Sequence, residues 1–268
     1  MTASVLNRPQ TLVRAAWLLA ALLGLAACKR SGDEAGPSAA VEPVTKADVT
    51  TLKRGNGPEP DTLDPQRART DAAFNILRDV FEGLTAIGPD GSAIPAAATE
   101  WSVTPDGLEY TFRLREGLRW SNGDPLVAAD YVAGMQRLVD PATASPYAQI
   151  FEPVLNAQAI TRGEKAPAEL GVSAPDDRTV VIRLQNPAPY IVGLVAQPGT
   201  FPVHRPSLAA NAADFAKPGK LLSNGAFTLD EWVIGSHVVI KRNRNFWNDA
   251  ATRLETVHFV HHADAGTE

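Results

Sequence analysis

Apolar residues recur at three- and four-residue intervals through Ala73, Leu77, Val80, Phe81 and Leu84, which predicts a helix over about 71–82 with one buried face. The period then shortens to two. Tyr110, Phe112 and Leu114 alternate with Glu109, Thr111 and Arg113, the pattern of a strand covered on one side. Val180, Ile182 and Leu184 alternate with Thr179, Val181 and Arg183, a strand covered more heavily on both sides. Phe227 and Leu229, then Val238 and Ile240, flank Ile234-Gly235-Ser236 and read as a hairpin. Between Leu126 and Val139, the apolar Val127, Tyr131, Met135 and Leu138 suggest a second helix, with Pro141 ending it or lying just past its end. A further strand is expected near Val49–Lys53. Helices and strands alternate without the regular βαβ order of a doubly wound sheet, so the expected class is α+β with mixed sheets.

Turn chemistry separates these elements. Pro105-Asp106-Gly107 and Asn122-Gly123-Asp124-Pro125 are turn formers, because Gly accepts positive φ and Pro presets φ. The segment WSNGDP (120–125) reads first as a tight turn with Trp120 in the core, and second as a binding loop. Trp101, Trp232 and Trp247 are likewise core candidates.

Length and charge narrow the function classes. The 268 residues suffice for roughly two domains of about 100–150 residues. With 44% hydrophobic and 21% charged residues the chain is globular in composition. A net charge of -5, with the signs interleaved, argues against nucleic acid as a partner, which needs a concentrated basic face. At the N-terminus Arg8 and Arg14 precede the apolar run AAWLLAALLGLAA (15–27) and Cys28, the chain's one cysteine. That run is shorter than the ~20 apolar residues a membrane crossing requires, and has the form of a secretory leader. A lone cysteine also admits readings as a buried apolar residue or a nucleophile. With no second cysteine there is no internal disulfide, even in an oxidising compartment. Residues 29–47 are rich in Ser, Gly, Pro, Ala and charge and lack aromatics, the composition of a tether.

Several runs then stand in a fixed order: FEGL (81–84), the Asp90-Gly91 turn, TEWSVTPDGLEYTFRLREGLRWSNGDPL (99–126), AADYVAGMQRLVDP (128–141) and ASPYA (144–148). ELGVSAPDDRTVVIRL (169–184), SNGAFTLDEWVIGSHVVIKRNRNFWN (223–248) and TVHFV (256–260) follow. Together they resemble the peptide- and nickel-binding class of bacterial solute-binding proteins, and within it the oligopeptide binders. The resemblance covers nearly everything after Asp48. It implies a periplasmic-binding-protein-like, mixed-sheet lobe, formed by 48–81 plus 205–268, with an inserted smaller domain at 82–204. Such proteins run to roughly twice this length, so a second large lobe is expected to be absent here. The ending Leu25-Ala26-Ala27-Cys28 resembles a bacterial lipobox, which implies cleavage after residue 27 and acylation of Cys28. Two acyl chains hold a protein stably on a membrane.

The function implied is capture of oligopeptide in a cleft between lobes and delivery to the transmembrane subunits of an ATP-binding cassette importer. The resemblance implies no enzyme, no cofactor and a monomer on the outer side of a membrane. Alternatives are a binder of dipeptide, murein peptide or a nickel chelate, and a truncated, non-transport lipoprotein serving as a protein-interaction scaffold. In oligopeptide binders the loop after the LDP motif and the tyrosine of the SPY motif face the ligand. Here LDP is 63–65, the matching loop positions are Arg69, Thr70 and Asp71, and the tyrosine is Tyr147. Many relatives carry an acidic residue where Arg69 stands and a small or apolar one where Asp71 stands. Tyr147 offers a broad apolar face and one hydroxyl, suited to covering a peptide backbone.

Other chemistry is weaker. Asp61 and Asp64 imitate a catalytic acid pair but bracket the LDP turn. No G-x-S-x-G, Walker loop or H-E-x-x-H occurs. His258, His261 and His262 suggest a metal cluster, yet on a straight strand His258 and His262 lie about 13 Å apart. Ligands of one metal sit within about 2.0–2.1 Å of it, so no metal site is expected.

Overall fold

The structure, a computed structural model, describes residues 50–262. These residues belong to one compact unit, Val44–Glu268. The elements that position the rest are β1 (Thr51–Gly55), α1 (Asp71–Val80), β2 (Thr85–Ile87), β3 (Ala93–Pro95), β4 (Ala98–Val103) and β5 (Glu109–Leu114). They are followed by α2 (Ala128–Val139), β6 (Val172–Asp176), β7 (Thr179–Arg183), β8 (Phe227–Val233), β9 (His237–Arg242) and β10 (Thr256–Val260).

Two four-stranded sheets and a short ribbon carry the fold. The first sheet has the order β1-β10-β9-β8, and the second β4-β5-β7-β6. β2 and β3 pair only with each other. β1 runs parallel to β10, whereas the remaining pairs in both sheets are antiparallel. The first sheet is therefore mixed and the second antiparallel, and the class is α+β. The chain leaves the first sheet after β1 and rejoins it at β8, and the second sheet is drawn entirely from the stretch between.

Alternation places the core. In β5, Tyr110, Phe112 and Leu114 are buried while Arg113 is exposed. β7 buries Thr179 through Ile182 in succession, as a strand covered on both sides must. Gly235, at φ +74°, closes the β8–β9 hairpin in a conformation that a Cβ would strain. One apolar cluster joins the sheets and both helices, from Leu77 and Val80 of α1 through Phe112, Tyr131 and Met135 to Ile240 and Phe259.

Two local expectations need correction. α1 ends at Val80, because Phe81 already has extended backbone (φ -124°, ψ 160°). Phe81 and Leu84 are buried from the irregular segment that follows the helix, not from the helix itself. Trp247 is the second. Trp120 is fully buried, and Trp101 and Trp232 pack against the core, but Trp247 is 37% exposed.

Candidate functional site

The LDP turn is built as a bracket that holds the next residues outward. Leu63 is fully buried and anchors it. The Asp64 carboxylate, also buried, accepts two hydrogen bonds from Arg137 of α2, at 2.5 and 2.6 Å. It takes a third from the Gln66 backbone N–H at 3.1 Å. Arg137 donates as well to Gln66 Oε1 at 2.8 Å, and Gln66 Nε2 donates to the Phe201 carbonyl at 2.9 Å. A forked guanidinium matched to a carboxylate is the geometry that suits a buried ion pair. Asp64 is therefore consumed by structure.

Asp61 does a separate job. It accepts from the Arg69 backbone N–H at 3.2 Å, from Arg69 Nε at 3.3 Å and from the Thr70 hydroxyl at 2.9 Å. That hydroxyl in turn accepts from the Ala73 N–H at 3.3 Å and caps α1. Asp71 follows as the first residue of the helix, where a negative charge meets the positive end of the helix dipole. The two aspartates thus face different partners and form no acid pair.

Tyr147 reaches this bracket from far along the chain. α2 ends at Val139, a 3-10 turn spans Pro141–Thr143, and Ala144 takes left-handed backbone at φ 53°, turning the chain back. The Tyr147 hydroxyl then donates to the Arg69 carbonyl at 3.2 Å. Its ring lies 5.5 Å from that of Phe74, tilted by 53°. Arg69, Thr70, Asp71 and Tyr147 are thereby gathered on one surface. Phe74 joins them unannounced by the sequence motifs. Its position at i+3 from Asp71, off the buried stripe of α1, is the signal that marks it.

A second polar cluster sits where the first sheet meets the second. The Glu82 backbone N–H donates to Asn224 Oδ1 at 3.1 Å, and its carbonyl accepts from Asn224 Nδ2 at 2.9 Å and from the Tyr131 hydroxyl at 3.2 Å. The Glu82 carboxyl accepts from Trp247 Nε1 at 2.8 Å, and the Arg115 guanidinium lies 3.7 Å from the Trp247 ring centroid. Trp247 is thus held by charge and a hydrogen bond. Burial pushes the Glu82 carboxyl up to about 7 despite the Trp247 bond and Arg115, which pull the other way. Burial likewise raises Asp79 to about 6, against the pull of Arg54. Both carboxyls border a hollow of about 290 Å³ that also meets Arg78, Phe81 and Phe246.

Asp130 was invisible from sequence as a hub. Buried in the first turn of α2, it accepts from Trp120 Nε1 at 3.2 Å, the Val127 N–H at 3.1 Å and Arg205 Nε at 2.8 Å. WSNGDP is accordingly a tight turn: the Trp120 N–H donates to the Asp124 carbonyl at 2.9 Å, with Gly123 at φ 92°. Among the histidines, His258 lies within β10, and His261 and His262 fall past its end. No group of three or more His, Cys, Asp or Glu among the described residues is arranged to hold a metal ion. Cys28 and the tether 29–47 lie outside the described residues.

A family model described as bacterial extracellular solute-binding proteins, family 5, middle region, matches residues 92–268. The chain belongs to this family. Its members bind solutes, and the fold is that of their mixed-sheet lobe. The chain is 39% identical over 211 residues to the probable deoxycholate-binding periplasmic protein YgiS of Escherichia coli K12, covering 78% of this chain and 39% of that protein. It is 38% identical over 219 residues to the periplasmic oligopeptide-binding protein OppA of the same strain, covering 81% and 40%. Among solved structures, Haemophilus influenzae OppA in complex with the peptide RPPGFSPFR superposes with a TM-score of 0.79 at 36% identity, over 81% of this chain and 43% of that one. The chain therefore spans about two-fifths of the length of these family 5 relatives.

Proposed function

We propose that this chain supplies one wall of the ligand cleft in an extracytoplasmic oligopeptide-binding component of an ATP-binding cassette importer. The observation that carries the reading is the hydrogen bond from Tyr147 to the Arg69 carbonyl. It joins two motifs distant in sequence into a single surface with a polar loop edge and an aromatic floor. Such a surface suits a peptide held by main-chain hydrogen bonds, with room beside it for varied side chains. Arg69, Thr70, Asp71 and Tyr147 are the proposed contact residues. Residues 48–81 plus 205–268 form the first lobe and 82–204 the inserted domain, a division supported by the separate origins of the two sheets. Closure of a second lobe over this wall traps the ligand by hinge motion. Acylated Cys28 tethers the monomer to the membrane beside the permease.

The relatives' names span peptides and deoxycholate, so ligand identity is tested directly. Native mass spectrometry of the protein purified from its own cells identifies the molecules that travel with it. Oligopeptides released on unfolding support the reading; a steroid acid or a metal chelate in their place overturns it.

A further inference from the structure

The surface proposed above carries more charge than a neutral peptide uses, and most of that charge is already matched. Asp61 holds Arg69 through Nε. Asp71 sits at the N-terminus of α1, where the helix dipole favours it. Arg78 is different. It lies seven residues beyond Asp71 on the same exposed stripe, one helical face apart from the buried Ala72, Ala73, Ile76 and Leu77. Its guanidinium stands 5.8 Å from the Phe74 ring centroid, and Phe74 in turn meets Tyr147. Among the described residues Arg78 has no ion pair and no side-chain hydrogen bond. Asp79 and Glu82 border the same hollow, but the cations acting on them are Arg54 and Arg115.

We propose that Arg78, Phe74 and Tyr147 form a side-chain subsite that selects peptides carrying an acidic residue. The inference rests on the peptide-binding reading and names its ligand class. An Asp or Glu stem packs across the two rings, and its carboxylate meets the guanidinium. The Phe74 ring holds that guanidinium near Tyr147, and with no ion pair or side-chain hydrogen bond among the described residues its N–H groups stay available to a planar carboxylate. A lysine side chain at the same place meets like charge.

The test is an NMR titration of the ¹⁵N-labelled chain, which detects weak binding to a single wall. The probes are the tripeptides Ala-Glu-Ala, Ala-Gln-Ala and Ala-Lys-Ala. We expect shifts at Phe74, Arg78 and Tyr147, with the Glu peptide about threefold to fivefold tighter than the Gln peptide and the Lys peptide weakest. Raising the salt to about 1 M, where screening extends only about 3 Å, closes the gap. Arg78→Gln abolishes the preference while all three peptides still bind, and Arg78→Lys, which keeps the charge, retains part of it. Equal affinity for the Glu and Gln peptides overturns the subsite and leaves the peptide reading standing. A preference that survives Arg78→Gln overturns the assignment to Arg78. No shifts at this surface with any of the three overturns both.

Discussion

Asp64 and Arg137 form a buried pair whose two halves come from a loop and a helix far apart in the chain. Their side chains are only 7% and 14% exposed, and Arg137 also lies against the Phe215 ring at 5.2 Å. Removing one partner leaves a charge with no water to solvate it, a loss of about 3–5 kcal/mol. Arg137→Leu is expected to lower unfolding stability by that amount in urea, and to release the LDP bracket. Adding Asp64→Leu in the same chain should recover much of it, because the orphaned charge is gone. Glu82 gives a pH signature of opposite sense to an ordinary carboxylate. Folded, it keeps its proton up to about pH 7; unfolded, it loses it near 4.5, the ordinary value for a glutamate. Between those values the folded state binds more protons, so this group's contribution is full below pH 4.5 and is lost as pH rises through 7. The size is about 3 kcal/mol. Glu82→Gln, which still accepts from Trp247, should gain on the wild type from pH 4.5 to 8 in parallel urea titrations. A constant difference across that range contradicts it. Neither partnership was legible in the sequence. The LDP motif marked Asp64 but nothing in it pointed to Arg137, because ion pairing across a fold leaves no periodic trace.

At the level of elements, most of the architecture was legible, since periodicity reports burial directly. The β8–β9 hairpin, the one-sided β5, the two-sided β7 and α2 follow from it. The end of α1 did not, and for a physical reason: Phe81 and Leu84 keep a helix-like spacing while being buried from non-helical chain past its end. Trp247 misled for another reason, since a large aromatic is also stable at the surface when a carboxyl and a guanidinium hold its edge and face. Close approach between elements was equally silent. Gly134 lies inside α2, and a Cβ there would come within 2.1 Å of the Phe201 carbonyl oxygen. Helix propensity alone favours Ala over Gly by about 1 kcal/mol. Overpacking a backbone contact costs about 1–3 kcal/mol or more, so the clash wins. Gly134→Ala should lower the melting temperature, and Gly193→Ala, whose Cβ meets nothing within 4 Å, should leave it unchanged or raise it. Equal effects at both sites contradict the packing of α2 on residues 201–202.

The whole molecule places a loop edge and an aromatic floor on one face, and a peptide gains full burial only between two walls. With one wall the buried ligand area falls by about half, while association still costs roughly 4–15 kcal/mol. The central claim is that the surface joined by Tyr147 and Arg69 is the ligand wall. The most direct measurement is calorimetry on a two-lobed protein, made by completing this chain with the remaining segment of E. coli OppA. Titration of a mixed oligopeptide pool is expected to give saturable, micromolar or tighter binding. Tyr147→Ala in that protein should weaken it at least about tenfold, the loss of a ring contact and a hydrogen bond worth ~1.4 kcal/mol or more. Equal affinity with Tyr147 and with Ala would contradict the assignment of this surface as the ligand wall.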